Sequence, residues 1–175
     1  MKLLSEIDLR SDTVTIPSDS MKKVIFNAKL GDDVMHEDTT TNDLESKAAE
    51  ISNKEAALFV PSGTMGNLVS ILTHCNRGDE IIVGDQSHTF FYEAGGVSAY
   101  GGIHSRQLLN NEDGTIDIQL IRESIRSEDD HFPKTTLISL ENTHNRCGGT
   151  PLSLRYLNDV YELAKERNIQ VHLDG

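Results

Sequence analysis

The segment TTLISLENTHN, residues 135–145, decides the fold class of this chain. Its first part, 135–140, is a short and nearly continuous apolar run, which is typical of a strand buried on both faces of a parallel sheet. Its second part, 141–145, is polar and contains titratable side chains. Because ligands bind at the carboxyl ends of the strands in such sheets, the polar part marks the edge where a site is expected.

The same arrangement repeats on both sides of this segment. Further strands are predicted at 56–60, 80–83, 103–108 and 169–173, and three of them run directly into polar residues, at 61–64, 84–88 and 174–175. Amphipathic helices are predicted between them: one with a capping box of Asn42 and Glu45, one from about Thr64 to before Arg77, one capped by Asp117 and one capped by Ser153. The alternation predicts an α/β fold, with a mostly parallel sheet and helices on both faces. We expect residues 1–40 to form an N-terminal arm with a first helix, and residues 41–175 to form the sheet domain.

Composition restricts the partners of the protein. The chain is 37% hydrophobic, enough for a single core, and 28 acidic against 16 basic residues give a formal net charge of −12. Nucleic acids and anionic membranes repel such a chain, so we expect neither as a partner, and any bound phosphate must be held locally. The opening residues 1–6 reach an acid too early for a secretory signal, and a cytosolic protein is expected. Cys75 and Cys147 lack the spacing of a metal-binding pair and are expected to be free thiols.

Two segments at the predicted strand ends carry candidate binding residues. Ser62, Gly63 and Thr64 lie between a strand and a helix, where free amides can hold a phosphate, but an ordinary helix cap fits the pattern equally well. His172 and Asp174 are two residues apart on a strand and therefore share a face. The Asp174 carboxylate could hold a cationic ring nitrogen, or the pair could ligate a metal.

Two histidines and a serine complete the candidates. His88 precedes the aromatic residues 90–92 and could stack on a flat ligand or move a proton, and His144 has a similar range of roles. Either could instead be a structural histidine. Ser11 lies in the segment DLRSDT, residues 8–13, which could bind a carboxylate or form a terminal arm held by salt bridges.

Five segments together resemble the threonine aldolases, pyridoxal-phosphate (PLP) enzymes of the aspartate-aminotransferase fold. In order, they are residues 8–15, 31–34, 56–67, 141–145 and 172–175. The resemblance implies that residues 41–175 are an incomplete large domain of that fold. In the family, the cofactor-binding lysine, an arginine and the small C-terminal domain lie beyond the position of Gly175, so the 175-residue chain is expected to be inactive by itself.

The resemblance also implies a function for the full-length protein. That function is cleavage of a β-hydroxy-α-amino acid, L-threonine or L-allo-threonine, to glycine and acetaldehyde, by a homodimer or homotetramer. Ser62, Gly63 and Thr64 would hold the cofactor phosphate, and Asp174 would pair with the pyridine nitrogen. The remaining roles fall to three residues: His88 would stack on the ring, His88 or His144 would take the proton from the β-hydroxyl, and Ser11 would bind the substrate carboxylate. The alternatives are a related PLP-dependent β-eliminating lyase and a metal-dependent hydrolase that uses His172 and Asp174.

Overall fold

The computed structural model describes residues 7, 8 and 10–175, which form two compact units, one ending at Pro61 and one from Ser62 to Gly175. The prediction about a secretory signal concerned residues 1–6, which lie outside the described residues. The expected boundary near residue 40 stays a prediction. In the part of the chain that the structure describes, no helix combines the length and apolar character needed to cross a bilayer.

The first unit is helical and begins its second helix earlier than the sequence predicted. Its helices are α1 (Asp19–Asn27) and α2 (Thr39–Ser52). The N-cap of α2 is Asp38, whose carboxylate accepts a hydrogen bond from Thr41 N at 2.9 Å. The predicted cap at Asn42 is therefore wrong. The Asn42 side-chain amide instead donates to the carbonyl of His36 at 2.9 Å.

The predicted strand at 56–60 is also absent from the structure. Leu58 and Phe59 are exposed there, and the backbone N–H of Phe59 donates to the Glu45 carboxylate at 2.7 Å. A strand requires a neighbouring strand to receive its backbone donors, and the described residues of this unit contain none. A side chain takes the donor instead.

A four-stranded sheet organises the second unit and confirms the predicted fold class. Its strands are β1 (Glu80–Gly84), β2 (His104–Leu108), β3 (Thr135–Glu141) and β4 (Gln170–Asp174). The spatial order is β2-β1-β3-β4, and every neighbouring pair is parallel. β1 is buried throughout and β3 nearly so, as the apolar runs in the sequence predicted.

Helices cover both faces of this sheet. One face is covered by α3 (Gly63–His74) and α5 (Gly96–Ala99), and the other by α6 (Ile118–Ser124) and α7 (Leu154–Glu166). The short α4 (His88–Phe91) follows β1. Asp117 and Ser153 cap α6 and α7 as predicted, each by accepting a bond from a backbone N–H in the first turn.

Alternate residues of the central strands feed two hydrophobic cores. Ile81 and Leu137 belong to one core with α3 and α5, which includes Ile71, Cys75, Val97 and Ile103. Ile82 and Ile138 point to the other face and pack with α6 and α7, where the core includes Ile116, Ile121, Leu152, Val160, Leu163 and Ala164. Because both faces are packed, polar groups of the sheet collect at the strand ends.

The amino-terminal edge of the sheet contains a buried charge. The Glu80 side chain is fully buried and accepts hydrogen bonds from Arg126, at 3.2 Å, and from the Thr135 hydroxyl, at 3.2 Å. The side chains of His104 and Arg106 lie 3.6 and 3.8 Å from its carboxylate. This cluster lies opposite the edge where the candidate site forms, and its contacts serve the stability of the sheet.

Candidate active site

Polar segments that follow β1, β3 and β4 meet at the carboxyl edge of the sheet. The buried carboxylate of Glu141 joins two of them, since it accepts bonds from the backbone N–H of His88, at 2.7 Å, and of Asn145, at 2.9 Å. The backbone N–H of Asn142 donates to the carbonyl of Asp174 at 2.7 Å. The predicted meeting of these segments at one edge is confirmed.

The turn after β1 is held in a fixed shape. The Asp85 carboxylate accepts bonds from the backbone of Asn110 and the side chain of Gln86, both at 2.8 Å. Burial alone would raise the pKa of Asp85, but these bonds lower it overall. The Asn110 side chain lies against Gly84, where a Cβ would collide with it, so the turn requires glycine at this position. The turn delivers His88 to the start of α4.

The first turn of α3 offers backbone donors to an anion. Ser62 caps the helix through its Oγ, which accepts a bond from Met65 N at 3.1 Å. The first intrahelical bond is donated by Gly66, so the N–H groups of Gly63 and Thr64 precede the hydrogen-bonded part of the helix. Gly63 is exposed, and a Cβ there would meet no atom within 4 Å. The cap and a phosphate site are thus compatible, because the cap uses a lone pair of Ser62 Oγ and leaves the N–H groups of Gly63 and Thr64 for an anion.

His88 and Asp174 lie together with a third residue that the sequence did not single out, Glu93. Nδ1 of His88 is 2.7 Å from Oε1 of Glu93, and the nearest nitrogen and oxygen atoms of all three side chains lie within 4.8 Å of one another. The His88 side chain is 43% exposed, whereas that of Glu93 is 3% exposed. The His88 ring also lies 5.1 Å from that of Tyr92. An open imidazole is therefore backed by a buried carboxylate.

His172 shares the face of Asp174 and reaches the same group of side chains through Asn67. Its Nε2 is 2.9 Å from Oδ1 of Asn67 on α3, and the Asn67 amide donates to Glu93 at 2.9 Å. Burial lowers the pKa of His172, although the nearby charge of Asp174 opposes that shift. Nε2 of His172 is thus directed to Asn67, whereas the Asp174 carboxylate lies with His88 and Glu93, so the pair expected for a metal-dependent hydrolase does not point to one shared atom.

His144 is the least accessible of the candidates. Its side chain is 0% exposed, and neither ring nitrogen has a hydrogen-bond partner among the described residues. Nδ1 lies 3.8 Å from Oε1 of Glu141, and the ring packs on Gly114, where a Cβ would come within 2.7 Å of the His144 Cβ. The loop that contains it also contains Cys147, whose thiol pKa is raised by burial and by the charge of Glu141, as expected for an unreactive free thiol.

Arg146 contacts residues on both sides of His88 in the sequence and was not identified as a site residue. Its guanidinium donates to the side chain of Gln86, at 2.9 Å, and to the hydroxyl of Tyr92, at 3.1 Å. It also lies 3.8 Å from the centre of the Phe91 ring. The loop after β3 is thereby fastened to α4. The aromatic residues after His88 are the sequence feature that could have indicated this contact, because arginine stacks on aromatic rings.

Ser11 belongs to the other unit. Its Oγ caps a short 3₁₀ turn, Asp12–Val14, by accepting a bond from Thr13 N at 3.3 Å. Arg10 and Asp8 form an exposed ion pair at 2.6 Å. These contacts lie within residues 8–15, and the role of Ser11 in substrate binding stays a prediction.

Known proteins resemble this chain in sequence and in structure. Residues 8–175 match the sequence model of the beta-eliminating lyase family. Low-specificity L-threonine aldolase 1 of Arabidopsis thaliana is 48% identical over 99% of this chain, and the low specificity L-threonine aldolase of Escherichia coli K12 is 47% identical over 97% of it. The chain spans about half the length of these curated relatives, 49% and 50%.

Solved structures of related proteins also resemble this chain. A Listeria monocytogenes protein assigned as an L-allo-threonine aldolase superposes with a TM-score of 0.65 and 27% identity, covering 77% of this chain and 36% of its own. A threonine aldolase of Leishmania major, 21% identical over 64% of this chain and 32% of its own, has a TM-score of 0.56 and shares the fold. The resemblance seen in the sequence is confirmed, and the chain belongs to the beta-eliminating lyase family.

Proposed function

We propose that the full-length protein cleaves L-threonine or L-allo-threonine to glycine and acetaldehyde with PLP as cofactor. The observation that carries the proposal is the convergence of His88 and Asp174 with Glu93, which Asn67 of α3 contacts, in a chain about half identical to low-specificity threonine aldolases. The protein is proposed to act in the cytosol, in glycine and threonine metabolism, as a homodimer or homotetramer.

The donor set of this edge fits PLP. Gly63 and Thr64 present helix-start amides, with the Ser62 and Thr64 hydroxyls beside them, where a phosphate group would be held. Asp174 offers a carboxylate for a protonated ring nitrogen, and His88 offers a half-exposed flat ring. When bound, PLP would withdraw electrons from the substrate Cα and so stabilise the charge left by bond cleavage.

The side chains of this chain would then perform three tasks. The Asp174 carboxylate would keep the proton on the pyridine nitrogen, because a nearby negative charge favours the protonated form. Ser11 would bind the substrate carboxylate. A histidine would accept the proton of the β-hydroxyl while the Cα–Cβ bond breaks and the aldehyde C=O forms, and Cα would take a proton before glycine leaves.

The geometry favours His88 over His144 as this base. His88 is partly exposed and lies at the meeting point of the strand ends, whereas His144 is fully buried behind Glu141. A base must come within hydrogen-bond reach of the proton that it removes, and an accessible ring satisfies this condition more readily.

The test is the near-visible absorption spectrum of the purified full-length protein, before and after borohydride, with and without L-threonine. We expect a band that borohydride abolishes and threonine changes, together with release of glycine and acetaldehyde. Release of ammonia and a keto acid instead would assign the protein to the β-eliminating reaction. No band after addition of PLP, combined with inhibition by chelators, would replace the proposal with a metal-dependent hydrolase.

A further inference from the structure

A series of hydrogen-bonded side chains connects β4 to His88. These contacts determine which ring nitrogen of His88 carries the proton. Oε1 of Glu93 accepts the side-chain N–H of Asn67, at 2.9 Å, and lies 2.7 Å from Nδ1 of His88. Oδ1 of Asn67 lies 2.9 Å from Nε2 of His172. Four side chains from α3, α4, β4 and the turn after α4 therefore form one series: His172, Asn67, Glu93 and His88.

The chemistry of each group fixes the direction of every bond. With the Glu93 carboxylate as the acceptor, the groups that face it are the Asn67 NH₂ and an Nδ1–H of His88. The Asn67 amide then turns its oxygen toward His172, and Nε2 of His172 must donate. Burial lowers the pKa of His172, which favours a neutral ring, and the contact with Oδ1 of Asn67 places its single proton on Nε2.

The backbone around Glu93 is built to aim this carboxylate inward. Glu93 and Ala94 both have left-handed backbone angles, with φ of 59° and 52°, which residues other than glycine rarely adopt. Such conformations persist where the surrounding contacts enforce them, and they concentrate at functional sites. Here the Glu93 carboxyl group is 3% exposed, with Asn67 and His88 as its partners.

We propose that Glu93 is a positioning residue, which fixes His88 as the Nδ1–H tautomer and leaves Nε2 as the proton-accepting atom, while Asn67 and His172 hold Glu93 in place. The inference rests on the proposed function, since it assigns the atom of His88 that would take the substrate proton. Carboxylates that orient catalytic imidazoles in serine hydrolases act by the same physics, and losing the correct tautomer there is severe. His144 has no comparable partner among the described side chains.

The tautomer is measured directly by ¹⁵N NMR of the full-length protein labelled at histidine, with the His88 signals assigned from their loss in His88→Asn. We expect His88 in the Nδ1–H form and His172 in the Nε2–H form, and a mixture of His88 tautomers in Glu93→Leu. His88 in the Nε2–H form in the wild-type protein, with Glu93 donating, would overturn the proposal. This measurement requires no aldolase activity, so its failure is distinguishable from failure of the proposed function.

Kinetics measure what the Glu93 carboxylate contributes to the rate. Glu93→Gln keeps an acceptor oxygen for Asn67 and His88, whereas Glu93→Leu removes it. We expect kcat to fall on the order of 10²-fold or more in Glu93→Leu, with a smaller fall in Glu93→Gln and little change in KM. Glu162→Gln, on the exposed side of α7, is the matched control and should retain wild-type kcat. Equal kcat in Glu93→Leu and wild type, or a change confined to KM, would refute the role.

Discussion

Replacing Gly114 by alanine would press a new methyl group against the buried His144. The added Cβ would lie 2.7 Å from the His144 Cβ and 3.1 Å from its Cγ, so the imidazole must move. Gly114 also has a φ of +82°, which costs an L-residue about 1–2 kcal/mol. The steric overpacking adds about 1–3 kcal/mol to this destabilisation. We therefore expect Gly114→Ala to lose about 2–5 kcal/mol of unfolding free energy, a large part of the 5–15 kcal/mol typical of proteins.

Gly78→Ala separates the two contributions. Gly78 has a similar φ of +90°, but a Cβ there would meet no atom within 4 Å, so this variant carries only the backbone cost. Urea unfolding followed by far-UV circular dichroism compares the two variants, and equal m-values would show that the midpoints report stability. Gly114→Ala should be the less stable of the two by about 1–3 kcal/mol. Equal stabilities would refute the steric argument and the burial of His144 on which it depends.

Three further outcomes are expected. Asp174→Asn in the full-length protein should lower kcat on the order of 10²-fold, because the charge opposite the ring nitrogen is lost, while the exposed Asp159→Asn should not; equal rates would contradict this role for Asp174. Burial raises the pKa of Tyr156 from 10.0 to about 12, so its stabilisation is complete below pH 10 and is lost as the pH rises toward 12. Unfolding free energies measured across that range should fall more in the wild type than in Tyr156→Phe, and parallel curves would contradict the assignment. Arg126→Met should cost about 3 kcal/mol in urea unfolding, since it leaves the Glu80 carboxylate buried with fewer partners, and a loss near zero would show that its other contacts suffice.

The sequence predicted helices and strands correctly where the folded chain supplies the packing partner that the local pattern implies. The apolar runs at β1 and β3 were recognised because a strand buried on both faces needs apolar residues at every position. The apolar run at 56–60 gave the same signal but forms no strand, because strand formation depends on a neighbour that local sequence does not specify. The cap of α2 was misplaced for a similar reason: Asp38 and Asn42 are both good caps, and the Asn42 side chain is engaged by His36.

The candidate site was partly visible in the sequence because polar residues at the ends of parallel strands meet at one edge. His88 and Asp174 were found in this way, and the structure brings their side chains together. Glu93 and Asn67 were missed. Asn67 is 26 residues from Glu93 in sequence and 105 from His172, and no periodic pattern connects positions at such separations.

The α/β class, the helix caps at Asp117 and Ser153, and the membership in a lyase family were all predictable from the sequence, because propensities, strand burial and family motifs are encoded locally. The folded chain was needed to show which strands are neighbours, which histidine is open and which is buried, and which nitrogen of His88 faces a carboxylate. Those properties depend on distances between residues far apart in the chain. Packing both sheet faces fixes these distances, and the burial that results gives each polar contact its strength.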